Sequence, residues 1–278
     1  MDEVLGSWVD GVAGTSIPID DRGLQYGDGI FETILVRKGI PRFLELHRER
    51  LRRGLARLGI PFTAEEGLNA DIARAAALAP RLAILKIIIT RGSSQRRGYG
   101  PAGNPVARRV VSLWPTTPLA REVVEQGASL RVAVMRMAES SPLAGVKHLN
   151  RLENVLAATE LMNSPATLDC LMLDVGERIV SGTSSNVFLV KSGELLTPPV
   201  NRVGIAGVMR AVVLREAPRL GITAREQELT LRDLRDAEGM FITNVRIGVV
   251  PVEGVREHLF GMTEIARKLR DHIEALDA

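Results

Sequence analysis

The chain has very little of several things that would settle its chemistry quickly. It holds one cysteine, Cys170, in 278 residues, so no intrachain disulfide can form and a cysteine-ligated zinc site is excluded. Aromatic residues make up 4%, which leaves no platform for stacking nucleic-acid bases. The four histidines, His47, His148, His258 and His272, form no HExxH pair and no cluster, so no metal is expected. No apolar run reaches membrane-spanning length without a charge, so no membrane is expected as a partner. Met1-Asp2-Glu3-Val4-Leu5 lacks the basic and apolar regions of a secretory leader, and the expected compartment is cytoplasmic. Charge of one sign is lacking too. The 36 basic and 33 acidic residues are interspersed and give a formal charge of +3, without the basic arm of a nucleic-acid binder. A small anionic molecule is the partner this surface suits.

What is present is the composition of a globular protein, 45% hydrophobic and 25% charged. Residues 1 to 43 read as strands and turns, with Gly27-Asp28-Gly29 as a sharp corner before a strand from Ile30 to Val36. An apolar stripe of Leu44, Leu51, Leu55 and Leu58 predicts a helix over 44–58, ended by Gly59 and Pro61, with His47 on the same side. Thr63 and Glu66 suggest a capping box for a second helix through about Leu78. Strands are predicted at Leu82–Thr90 and Arg108–Trp114, joined by a polar glycine loop that contains Arg97 and Tyr99. Pro115-Thr116-Thr117-Pro118 breaks the pattern. The expected division is residues 1–114, a linker over 115–122, and a second α/β domain over 123–278 that contains Lys147. In that second part, strands and helices alternate to a closing helix over about 262–276. Thr230 with Asp233 predicts a further short helix, and Cys170 sits in a strand as core packing.

Three features bear on chemistry. Lys147 stands before Asn150 and Glu153, which read as a capping box for a helix from about Arg151. A lysine at the positive end of a helix has reason to lose its proton and act as a nucleophile, although a solvated surface lysine looks the same in sequence. Arg50 lies at the edge of the apolar stripe of its helix. It either snorkels or directs its fork of donors at a phosphate. The run Gly204-Ile205-Ala206-Gly207-Val208-Met209 opens a helix, which is an ordinary helix entry or an anion site of free backbone N–H groups. A phosphorylated aldehyde, pyridoxal 5'-phosphate, would use all three. Gly182-Thr183-Ser184-Ser185-Asn186 lacks the spacing of a serine-nucleophile elbow.

The segments DRGLQYGDGIFET, HRERL, RGYG, LAGVKHLNRLENVL, GTSSNVF, GIAGVMR and FITN resemble the branched-chain/D-amino-acid aminotransferase superfamily, the fold type IV pyridoxal phosphate enzymes. Within it, KHLNRLE and RGYG are most similar to the aminodeoxychorismate lyases; D-amino-acid transaminases carry Arg-x-His where this chain has Arg97-Gly98-Tyr99. The resemblance implies a homodimer of two-domain α/β chains with the cofactor in the interdomain cleft. It implies conversion of 4-amino-4-deoxychorismate to 4-aminobenzoate, a folate precursor, and pyruvate, with amino transfer on D- or branched-chain amino acids as the alternative. By the same resemblance Lys147 bonds the cofactor and shuttles protons, and Arg50 with the N–H groups of Val208 and Met209 holds its phosphate. Asn244 lies near cofactor or substrate, and Arg97 and Tyr99 meet the substrate. Relatives commonly place a glutamate against the pyridine nitrogen where this chain has Ser181. Glu177, four residues earlier and ~13 Å along a strand, is too far to replace it.

Overall fold

A computed structural model describes residues 3–94, 96, 98–103, 105–164 and 167–276. They form two units, one of the chain up to Pro118 together with Val146–Asn150, the other of Leu119–Gly145 with the chain from Arg151 onward. No described helix is long and apolar enough to cross a membrane.

The first unit contains β1 (Gly6–Val9), β2 (Val12–Ala13), α1 (Arg22–Tyr26), β3 (Gly29–Arg37), β4 (Ile40–Pro41), α2 (Leu44–Leu58), α3 (Glu65–Ala77), β5 (Leu82–Thr90) and β6 (Arg108–Pro115). Among the described residues the strands make one antiparallel sheet in the order β2-β1-β6-β5-β3-β4. Alternation along β3 sends Ile30, Ile34 and Val36 into a core with Leu51 and Leu55 of α2, Ile72 of α3, and Leu85 and Ile87 of β5. Burying each such side chain stabilises the unit by about 1.5–3 kcal/mol. Glu32 shares their parity, so a carboxylate occupies one slot of the apolar face. β4 pairs with β3 only at Val36 and Arg37, which leaves the edge at Gly29–Phe31 open. The Val146–Asn150 segment fills it. Phe31 N donates to Lys147 O at 3.0 Å, and Leu149 N donates to Gly29 O at 3.0 Å.

The second unit contains α4 (Arg121–Gln126), β7 (Ala128–Met137), α5 (Leu152–Thr159), β8 (Thr167–Asp174), β9 (Arg178–Gly182), β10 (Asn186–Lys191), β11 (Glu194–Thr197), α6 (Val208–Glu216), β12 (Ala224–Glu226), β13 (Leu229–Thr230), β14 (Gly239–Asn244), β15 (Gly248–Val255), β16 (His258–Leu259) and α7 (Glu264–Ala275). Its described strands join in the order β12-β11-β10-β14-β15-β7-β8-β9-β13, with β16 on β15. The sheet is mixed, since β7 runs parallel to both β8 and β15. β8 is buried on both faces: Leu171 and Leu173 join one core cluster, and Cys170 and Met172 join another with Ala157 of α5. The Cys170 thiol is fully buried, and desolvation pushes it up to about 11, as befits a packing residue.

The helix over 44–58 and the strand over 82–90 form as the periodicity predicts. Other expectations are corrected. Neither capping box forms, because the side chains find other partners or none. The Asn150 amide donates to Gly27 O at 3.2 Å, Glu153 accepts from Ala138 N at 2.9 Å, and α3 opens at Glu65 without a side-chain cap. Asp233 accepts from Thr230 N and Oγ1 at 2.8 and 3.0 Å, closing turns rather than a helix. A five-residue helix, α1, forms where only turns were expected; Asp21 caps it by accepting from Gly23 N, and Gly27 ends it at a φ of 64°.

Candidate active site

In the first unit, one stretch of β3 organises the chemistry. The Lys147 backbone is bonded to Phe31, and its Nζ lies 4.1 Å from the centroid of the Phe31 ring, within cation–π range. The next residue, Glu32, is 2% exposed and points toward α2. It accepts from Arg50 Nε at 2.8 Å and Arg50 Nη2 at 2.5 Å, and from His47 Nδ1 at 2.6 Å. His47 and Arg50 reach it together because residues three apart share a helix face. Arg50 is therefore buried and held side-on. Burial would raise the Glu32 carboxyl, but Arg50 and then His47 hold it down at about 2. Burial lowers His47, and the charges of Arg50 and Lys147 lower it further against the opposing pull of Glu32. A neutral imidazole beside an ionised carboxylate carries its proton on Nδ1. Its Nε2 is then an acceptor, buried and without a hydrogen-bond partner among the described residues.

The loop between β5 and β6 is tied to α1. Arg22, 3% exposed, donates from Nη1 to Gly98 O at 3.1 Å and from Nη2 to Tyr99 O, while its Nε pairs with Asp28 at 2.8 Å. Arg91 takes the same Asp28 carboxylate at 2.8 Å. The Tyr99 ring meets Tyr26 edge-on at 5.6 Å and is otherwise exposed. Arg97 lies outside the described residues.

In the second unit, the turn after β9 gathers the other predicted residues. Ser181 is buried at the end of β9, and its Oγ donates to Gly182 O at 2.8 Å. Asp169, on β8, supports the turn by accepting from Thr183 N at 2.8 Å, Thr183 Oγ1, and Ser185 Oγ at 2.8 Å. Asn244 brackets the turn. Its amide donates to Ser184 O at 3.1 Å, and its Oδ1 accepts from Arg246 N and Ile247 N at 2.9 and 3.0 Å. Asn186, the last residue of the turn, donates to Ile205 O at 3.0 Å. It also abuts Gly207, where a Cβ would lie 1.9 Å from Asn186 Oδ1. Gly207 is the N-cap of α6, and no side chain caps that helix. The N–H groups of Val208 and Met209 belong to its first turn, where no intrahelical partner exists. Glu177 is elsewhere, exposed at the β8–β9 turn and paired with Arg136 at 2.6 Å.

The sequence pattern described as Amino-transferase class IV matches residues 29–255. The chain belongs to the class IV aminotransferases. It is 37% identical over 250 residues to an aminodeoxychorismate lyase of Vibrio harveyi, which covers 89% of this chain and 90% of that one. It is 30% identical over 251 residues to a D-alanine aminotransferase of Bacillus licheniformis, covering 88% and 85%. The crystal structure of 4-amino-4-deoxychorismate lyase from Pseudomonas aeruginosa matches at a TM-score of 0.91 and 40% identity, covering 98% of this chain and 100% of that one. The class IV aminotransferases are pyridoxal phosphate enzymes, and the donor set suits that cofactor. A lysine amine beside an aromatic ring stands in the same unit as a buried, pre-oriented arginine, and α6 offers an uncapped helix start.

Several residues of this arrangement have no role in the sequence analysis, among them Glu32, Asp28, Asp169 and Asn186. Glu32 was the detectable one. A carboxylate at an inward position of an apolar strand requires a buried donor, and Arg50 of the next helix supplies it.

Proposed function

We propose that the chain is a pyridoxal phosphate-dependent lyase that converts 4-amino-4-deoxychorismate to 4-aminobenzoate and pyruvate. The observation that carries this reading is the 40% identity to a lyase of known structure across 98% of the chain. When bound, the cofactor supplies an aldehyde for the substrate amine and a sink for the electrons released at the adjacent carbon. Lys147 is the residue that would hold that aldehyde. With the substrate in place, its amine would remove the proton from the amine-bearing ring carbon. The enolpyruvyl C–O bond on the neighbouring carbon then breaks, the ring becomes aromatic, and the proton ends on the pyruvate methyl group. Substrate and the two products balance without water or an oxidant.

Arg50 and the N–H groups of Val208 and Met209 are the groups that would hold the phosphate. Ser181 would offer the pyridine nitrogen an uncharged hydroxyl in place of a carboxylate. Its proton is directed to Gly182 O, which would leave only its lone pairs for a protonated ring nitrogen. Asn244 acts through Ser184, whose carbonyl it holds. Tyr99, and Arg97 in the same loop, meet the substrate carboxylates. The working protein is a cytoplasmic homodimer. The second reading, amino transfer, is favoured by the likeness to D-alanine aminotransferase.

One assay separates the two. Purified protein given 4-amino-4-deoxychorismate and no 2-oxo acid is expected to release pyruvate and 4-aminobenzoate in equal amounts, and Lys147→Ala to abolish it. Turnover that needs a 2-oxo acid acceptor supports the aminotransferase.

A further inference from the structure

We propose that Glu32 is the positioning residue for the cofactor phosphate: by fixing the Arg50 guanidinium it sets the protein's preference for a phosphorylated ligand. This rests on the assignment of Arg50 made above. An arginine side chain has several rotatable bonds, and an anion site made from it is only as well formed as the groups that restrain it. Here two bonds from one carboxylate, to Nε and Nη2, fix the plane of the fork. The carboxylate is restrained in turn by His47 Nδ1 at 2.6 Å. All three side chains are buried, so water does not compete for these bonds.

The strand makes the arrangement more than a local brace. Phe31 bonds the backbone of Lys147, and the next residue, Glu32, bonds the side chain of Arg50. β3 is itself fixed by continuous pairing with β5 from Gly29 to Arg37. The amine and the guanidinium are thus referred to one rigid strand, one residue apart.

Charge alone predicts the reverse of this proposal. Glu32 is an anion beside an anion site, so neutralising it should tighten phosphate binding. Positioning predicts that neutralising it weakens phosphate binding. The test titrates full-length wild type and Glu32→Gln with pyridoxal 5'-phosphate and with pyridoxal, which lacks the phosphate, following ligand absorbance. Glu32→Gln is expected to lose about 10- to 100-fold in affinity for pyridoxal phosphate, the range found when a partner behind a metal ligand is removed. Its affinity for pyridoxal is expected to be unchanged.

Unchanged or tighter binding of pyridoxal phosphate overturns the proposal, and so does an equal loss for both ligands, which reports general damage. A wild type that does not prefer the phosphorylated ligand removes the role of Arg50, and the proposal with it. If Glu32→Gln does not fold, the His47 pair carries the test. His47→Ala should shift the preference in the same direction, and His47→Asn, whose amide nitrogen can stand where Nδ1 does, should restore it. Equal behaviour of those two variants overturns the proposal.

Discussion

Ser181 shows how much one buried side chain decides. It is 7% exposed, its hydroxyl proton is directed to Gly182 O, and it carries no charge. The neighbouring carboxylate of Asp169 is occupied by Thr183 and Ser185. Under the proposed function the pyridine nitrogen therefore lacks a full counter-charge from this turn. Amino transfer should suffer more from that than elimination, in which the leaving group carries electrons away. Ser181→Glu is expected to raise D-glutamate formation from D-alanine and 2-oxoglutarate relative to pyruvate release from aminodeoxychorismate, by about tenfold, equivalent to a change of one pKa unit. An unchanged ratio in a variant that melts like wild type would remove Ser181 from the ring nitrogen. Lys147 and Arg50 could be singled out in the sequence by the helix signals around them. The burial of Arg50 is legible only through Glu32, 18 residues away, whose inward position on an apolar strand calls for a buried donor.

At the scale of elements, the long helices and strands were legible because their apolar periodicity is set by the core they cover. Caps were not, since Asn150 and Glu153 have tertiary acceptors and donors that a local motif does not reveal. α1 is too short to show a period. The start of α6 depends on Gly207 for a reason the sequence hides. Its φ of −66° suits any residue, but Asn186 Oδ1 occupies the place of a Cβ. Gly207→Ala should displace either the turn or the helix start and cost about 1–3 kcal/mol of stability. Affinity for pyridoxal phosphate should fall along with the melting temperature. A variant with wild-type stability and affinity would show that the helix start does not bind the phosphate.

For the whole molecule, the mixed α/β class followed from alternating patterns, but the parallel pairing of β7 with β8 and β15 joins segments too distant for sequence to register. The placement of Val146–Asn150 in the first unit is equally non-local; it follows from the open edge of β3 that β4 leaves. One surface of the second unit bears on the proposed homodimer. Leu152, Val155 and Leu156 of α5, Met162 just beyond it, and Val134 of β7 are all exposed, Leu152 at 76% and Met162 at 79%. Apolar residues grouped this way call for cover. Sedimentation velocity at micromolar concentration should show a dimer, and Leu156→Asp should shift it to monomer. A Leu156→Asp dimer of unchanged stability would place the interface elsewhere.

The most direct measurement is product analysis with 4-amino-4-deoxychorismate as sole substrate, pyridoxal phosphate bound and no 2-oxo acid present. The predicted result is pyruvate and 4-aminobenzoate in a one-to-one ratio from wild type and neither from Lys147→Ala. Turnover only when a 2-oxo acid is added, or a Lys147→Ala protein that works at the wild-type rate, would contradict it.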